Sequence, residues 1–202
     1  MKSVDIPSVT GFDQIDKFAQ IAVDYVDWPA EYPYCPDTKV RLGHTADRIL
    51  VRFDVEEDNV RAVCTESNGP VWEDSCVEFF AKVPGSEFYY NFETNCIGVG
   101  LSAKRVSRSD CHHFNDEEQA KVIRRSSLPL KPVDIIGGGK WSLELEVPFS
   151  VLGIDACPAE LLANFYKCGD KTARTHFVSW NPIDNPTPNF HLPQFFGTLR
   201  FA

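Results

Sequence analysis

Two stretches of alternating polarity constrain the fold of this chain most. In Arg48-Ile-Leu-Val-Arg-Phe-Asp-Val55 the apolar Ile49, Val51, Phe53 and Val55 alternate with Arg52 and Asp54. In Trp141-Ser-Leu-Glu-Leu-Glu-Val147 the apolar Trp141, Leu143, Leu145 and Val147 alternate with Ser142, Glu144 and Glu146. A period of two sends successive side chains to opposite faces, so each run reads as a strand with one buried and one wet face.

The rest of the sequence extends that reading. Fifteen Phe, six Tyr and four Trp suit pleated surfaces, while fourteen Pro in 202 residues would interrupt helices. Further strand signals fall at Ala19 to Trp28, Thr38 to Thr45, Ser75 to Val83, Phe88 to Thr94, Cys96 to Leu101, Gln119 to Arg125, Leu161 to Cys168, Thr175 to Trp180 and Phe196 to Phe201. About ten or eleven short strands, broken by Gly, Pro and Asn, predict an all-β sandwich or barrel with little helix. Helix is limited to a turn over Phe149 to Leu152 and another near Asp13 to Phe18. Pro84-Gly85-Ser86 reads as a hairpin turn and Gly137-Gly138-Gly139 as a loop into the Trp141 strand. Without internal repeats or a linker, residues 1–202 are expected to form a single domain.

Charge and cysteine content narrow the function classes. With 20 Lys and Arg against 29 Asp and Glu, the net charge is −9, and the scattered basic residues offer no stripe for a nucleic acid. No apolar run approaches the roughly 20 residues needed to span a bilayer. Cys35, Cys64, Cys76, Cys96, Cys111, Cys157 and Cys168 are odd in number and never spaced C-x-x-C, so they read as reduced, mostly buried thiols. With no apolar leader at the start, the expectation is a cytoplasmic protein; a chain trimmed of its leader reads as extracellular or periplasmic instead.

No nucleophile elbow, zinc-protease motif or phosphate loop is present. Glu78, Glu93, Glu144 and Glu146 lie in expected strands, and two such carboxylates across a cleft could hydrolyse a glycoside, although solvated strand faces carry the same residues. Cys111-His112-His113 with Asp110 and Asp116 reads as a polar loop, because adjacent histidines point apart on a strand. Asp54, Glu56, Glu57 and Asp58 form an acidic run that could offer oxygen ligands to calcium, without the order of a calcium loop.

Two tryptophans sit in polar surroundings. Val77, Phe79, Ala81 and Val83 form one face of a strand, which leaves Trp72, Asp74, Cys76 and Glu78 on the other. An indole beside carboxylates suits a sugar, whose C–H bonds pack on an aromatic face while its hydroxyls take hydrogen bonds. Six extended residues span about 20 Å, so Trp72 must bend back to share a ligand with Glu78, and Gly69-Pro70 supplies the bend. Trp180 opens Asn181-Pro182 to Pro193, a stretch stiffened by four prolines. Each tryptophan reads equally as a core residue with its N–H satisfied.

Together these segments resemble carbohydrate-binding module family 9. The likeness rests on Trp72-x-Asp74-x-x-x-Glu78-Phe-Phe80, on Tyr89-Tyr-Asn91-Phe92-Glu93 with Gly98, and on Trp141-x-x-Glu144-x-x-Val147-Pro148-Phe149 followed by Leu152-Gly153. It continues through Asn164-Phe-Tyr166 and Ser179-Trp180-Asn-Pro182 to Phe190-His191-x-Pro193-x-Phe195-Phe196-Gly197-x-Leu199-x-Phe201, covering Val4 to Phe201. The resemblance implies an all-β fold, a non-catalytic antiparallel β-sandwich of jelly-roll type, that binds mono-, oligo- or polysaccharides in the service of glycan breakdown. Family modules take the reducing ends of glucan or xylan chains between two tryptophans. Carried over, these are Trp72 and Trp180, with Glu78 binding hydroxyls and Asn91, Asn164, Lys167 and Asn181 as further polar candidates; His191 would support the loop. No cofactor is implied beyond structural calcium, whose ligands the motifs do not place. A glycoside hydrolase using strand carboxylates and a protein-docking module are the alternatives.

Overall fold

In the computed structural model, which describes residues 1–202, fourteen strands form two sheets. Along the chain they are β1 (Ser3–Ile6), β2 (Ala19–Ala22), β3 (Tyr25–Val26), β4 (Asp37–His44), β5 (Arg48–Ala62), β6 (Cys76–Lys82), β7 (Tyr89–Asn95), β8 (Gly100–Arg105), β9 (Cys111–His113), β10 (Ile123–Ser126), β11 (Val133–Pro148), β12 (Glu160–Cys168), β13 (Phe177–Ser179) and β14 (Gly197–Phe201). The smaller sheet has the order β10-β11-β5-β4-β2. The larger runs β1-β14-β12-β6-β7-β8-β9, with β13 also on β12 and β3 on β13. All pairings are antiparallel except β1 with β14.

The alternating runs become the two longest strands, β5 and β11, paired with Leu143 opposite Phe53 and Leu145 opposite Val51. Their apolar residues are buried. Their polar residues form an ion-pair ladder on the outer face: Arg41–Asp54 at 2.8 Å, Arg52–Asp54 and Arg52–Glu144 at 3.0 Å, and Arg48–Glu146 at 2.7 Å. From the larger sheet, Phe79 stacks between Phe92 (5.8 Å) and Phe165 (5.2 Å), and Phe165 meets Phe53 of the other sheet edge-on at 6.2 Å. Each fully buried Phe contributes about 1.5–3 kcal/mol. No helix is long and apolar enough to cross a membrane.

The sandwich matches the expected class, and the local differences have physical reasons. The strands beyond eleven are pieces of two or three residues, β3, β9 and β13, too short to show a period. Within Gln119 to Arg125 only Ile123 onward is strand. A capping box, with Asn115 accepting from Glu118 N and Glu118 from Asn115 N, starts a helix α1 (Asp116–Lys121) instead. The Gly137-Gly138-Gly139 segment is not a loop but a bulge inside β11, where the register against β5 shifts and Gly137 and Gly138 take φ of 93° and 105°. Cys96 to Leu101 is mostly a turn, and the strand lies later, at β8.

Candidate functional site

The sandwich core uses one face of the larger sheet; the other face builds a cleft of about 490 Å³. Register decides which side chains reach it. Glu78 of β6 stands opposite Glu93 of β7, which stands opposite Leu101 of β8, while Cys76 faces Cys168 of β12. Glu78, Glu93, Leu101 and Cys168 all line the cleft. Arg105 and Asp170 join them, together with the aromatic side chains of Trp72, Phe177 and Phe190.

Trp72 lies in a 3-10 turn, Val71–Glu73, which supplies the bend the sequence requires. The turn is strapped down from three directions. Its carbonyls accept from Asp170 N onto Trp72 O (3.2 Å) and from Lys171 N onto Glu73 O (2.9 Å). Arg61 Nη1 reaches Glu73 O at 3.1 Å. Just beyond, the buried Asp74 carboxylate accepts from Arg61 Nη1, Val63 N, Cys64 N and Asn95 Nδ2 at 2.6–3.0 Å. The indole itself stays 38% exposed, a fixed apolar plate open to solvent.

The two carboxylates that line the same cleft, Glu78 and Glu93, are both buried and directly paired across β6 and β7. Burial pushes Glu93 up to about 7, and it pushes Glu78 well above the usual carboxylate range, with the Cys168 thiol and the Glu93 charge adding to the effect. Burial likewise raises Asp170 to about 6. Neutral carboxyls donate as well as accept, so the floor offers both hydrogen-bond polarities. Arg105 commits Nε to Asn91 Oδ1 (2.6 Å) and Nη1 to Arg108 O (2.7 Å), which leaves Nη2 for a ligand.

Trp180 requires a correction. It does not face Trp72 across the cleft but is 3% exposed, inside the core. Its main-chain N–H bonds Phe165 O at 2.9 Å, its ring meets Phe165 edge-on at 5.8 Å, and its far edge lies on Gly197, where a Cβ would come within 2.6 Å of the indole. The reason is parity: β13 pairs Phe177 with the cleft residue Cys168, so Phe177 faces outward while Val178 and Trp180 turn inward. The other large aromatic side chains lining the cleft with Trp72 are therefore Phe177 and Phe190. Phe190 stacks on Tyr166 at 4.1 Å, and the proline-rich loop carrying it is pinned by Trp28 Nε1 to Asn185 O (2.7 Å) and Tyr89 Oη to His191 Nδ1 (3.1 Å). His191 thus supports the loop while lining the cleft, and burial drives its pKa down to about 3, so it is neutral.

The other polar candidates divide by face. Glu78 reaches the cleft. Asn91 is fully buried behind it and holds Glu93 Oε1 at 2.8 Å as well as Arg105, so it positions ligand-facing groups rather than lining the cleft. Asn164 is spent on Asn181 O and Asn181 N, both at 2.9 Å, and Asn181 on Lys2 N and Phe195 O, both at 2.7 Å; the pair staples the C-terminal loop to the sheet. Lys167 lies opposite Val77, on the inner face, and is fully buried. Its ammonium binds Glu57 at 2.9 Å, His176 Nε2 at 2.8 Å and Cys168 O at 2.9 Å, and Trp141 Nε1 completes Glu57 at 2.7 Å. These three side chains are structural, because each has its hydrogen-bonding capacity consumed inside the protein.

Calcium does not fit the acidic run. Asp54 pairs with Arg41 and Arg52, Glu56 with Lys140, Glu57 with Lys167 and Asp58 with Arg174, so each carboxylate already has a cation. Cys111 and His113 line the cleft from β9, while His112 turns away to Glu118 at 3.1 Å.

Sequence reasoning missed Arg105, Asp170, Phe177 and Phe190 as site residues, and it weighed Glu93 only as a catalytic carboxylate. Glu93 had a usable signal: counting outward from Pro84-Gly85-Ser86-Glu87 pairs Ala81 with Tyr90 and Glu78 with Glu93, as observed. Phe177 had none, since its facing depends on the strand it joins.

The family model for carbohydrate-binding family 9 matches residues 9–201. No curated protein matches the chain. Among solved structures, a Bacteroides uniformis protein described as a "putative carbohydrate-binding protein" is 36% identical with a TM-score of 0.94, over 100% of this chain and 99% of that one. Two structures of a family 9 module from Caldicellulosiruptor kristjanssonii, one with cellotriose and one with glucose, give TM-scores of 0.64 and 0.61. They are 10% and 11% identical and cover 99% and 100% of this chain and 93% and 96% of their own, a likeness of fold. With its sandwich architecture and a family match running almost from end to end, the chain belongs to carbohydrate-binding family 9.

Proposed function

We propose that residues 1–202 act as one saccharide-binding module, with a pyranose ring laid on the Trp72 indole and its hydroxyls met by Glu78, Glu93 and Arg105. The observation that carries this reading is the half-open indole, its turn held by main-chain bonds, lining one cleft with a buried carboxylate pair. Stacking on such a plate excludes water from the hydrogen bonds below it, and a preformed site loses little entropy on binding. Only one indole takes part; Phe177 and Phe190 close the cleft in place of a second. The complexes of the Caldicellulosiruptor kristjanssonii module with cellotriose and glucose make gluco-oligosaccharides the first ligands to try.

Calorimetry with glucose, cellotriose and xylotriose tests the proposal. Binding at micromolar to millimolar affinity, about 4 to 8 kcal/mol, is expected for at least one sugar and should vanish in Trp72→Ala. Absence of heat with every sugar, or full binding by the variant, would overturn it.

The elevated Glu93 also suits a general acid, which keeps glycoside hydrolysis as the second reading. Glu78 and Glu93 rise side by side from adjacent strands, whereas hydrolysis needs its two carboxyls flanking the scissile bond. That geometry favours binding; turnover of a chromogenic glycoside, lost in Glu78→Gln, would establish the enzyme instead.

A further inference from the structure

Cys76, Glu78 and Cys168 form a triangle on the cleft floor that saccharide recognition does not use in full. Cys76 and Glu78 are two residues apart on β6, hence on one face, and Cys168 is the cross-strand partner of Cys76 on β12. Their ligand atoms, two Sγ and a carboxylate oxygen, all lie within 4.8 Å of one another. Cys168 Sγ already points at Glu78 Oε1, 3.2 Å away. All three side chains are at least nine-tenths buried, yet Glu78 and Cys168 border the cleft, which gives an ion a route in.

We propose that this triangle is a zinc site, bound by the two thiolates and the Glu78 carboxylate, with the fourth position left to water or a ligand from the cleft. Zinc takes sulfur at about 2.3 Å and carboxylate oxygen at about 2.0–2.2 Å, distances that place tetrahedral ligands under 4 Å apart and require only a small contraction here. Two sulfurs in three donors exclude calcium and magnesium, which are oxygen-seeking. A zinc ion also removes an electrostatic difficulty. Three ionised acids this close in a buried site are tolerable only with a cation among them. Binding displaces the protons these groups hold, those of the two thiols and of the neutral Glu78 carboxyl. A C-x-x-C search does not see this site, because its ligands are gathered by sheet register from two strands ninety residues apart in sequence.

The proposal shares Glu78 with the saccharide reading, so it is tested without saccharide present. Chelator-stripped, reduced protein is titrated with Co(II), then with zinc. The expected result is one equivalent of Co(II) producing thiolate-to-cobalt charge-transfer absorption and intense visible bands, displaced by one equivalent of zinc. Cys76→Ser and Cys168→Ser should each weaken binding by about 100-fold or more, since losing a ligand exceeds the loss of an outer contact; Cys35→Ser, at an exposed thiol, should not. Zinc calorimetry in buffers of different ionisation enthalpy reads proton release on the wild type, so the test survives a variant that misfolds. No charge-transfer band, a band surviving in both cysteine variants, or zinc binding that releases fewer than two protons would overturn the site.

Discussion

Trp72 and Trp180 show how one residue type serves opposite ends when exposure differs. At 38% exposure the Trp72 ring adds little to the core, and Trp72→Ala should change unfolding stability by less than about 1 kcal/mol while removing saccharide binding. Trp180 at 3% exposure fills a slot between Phe165 and Gly197. Trp180→Ala should therefore cost about 3–5 kcal/mol in urea unfolding. Equal and small losses in both variants would contradict the placement. Gly197 belongs to the same contact: a methyl there would also meet Lys2 O at 2.7 Å, so Gly197→Ala should be destabilising although the site it touches is only packing.

Among the elements, β12 carries two chemistries on its two faces: Cys168 serves the cleft, and Lys167, one residue earlier, ties the sheets together through Glu57. Lys167→Ala strands the Glu57 carboxylate in the core and should cost about 3–5 kcal/mol. The double variant Lys167→Met with Glu57→Gln keeps an acceptor for Trp141 Nε1 without a buried charge and should recover most of that loss, measured as urea midpoints. Legibility followed strand length. β5 and β11 carry their alternation over eight and seven residues, so their inner faces could be read directly, as could the turn that puts Glu78 opposite Glu93. β13 has three residues, and whether Phe177 or Trp180 faces the cleft is set by its pairing with β12. Lys167 and Asn164 read as polar ligand candidates because their buried partners, Glu57 and Asn181, are distant in sequence. A family motif located the Trp180 segment without fixing the facing of its side chain.

For the whole molecule, the cleft carboxyls tie stability to pH. Glu93, Glu78 and Asp170 all have native pKa values raised above their unfolded ones, so below about pH 4 both states hold the protons and nothing is lost. As pH rises past the unfolded values, the unfolded chain sheds its protons first, and stability falls until the native groups ionise too, near 7 for Glu93. Unfolding midpoints should thus decline between about pH 5 and 7. Glu93→Gln should flatten its share of the decline, on the order of 2–3 kcal/mol; a slope of opposite sign, or one unchanged in the variant, would refute the burial of these carboxyls.

The most direct test of saccharide binding at the Trp72 plate uses the four indole N–H groups as reporters. In nitrogen-15 correlation spectra, titration with cellotriose should move the Trp72 resonance most and leave Trp141, bonded to Glu57, and Trp180, sealed in the core, in place. Four unmoved indole signals at saturating sugar, or a dominant shift at Trp180, would contradict it.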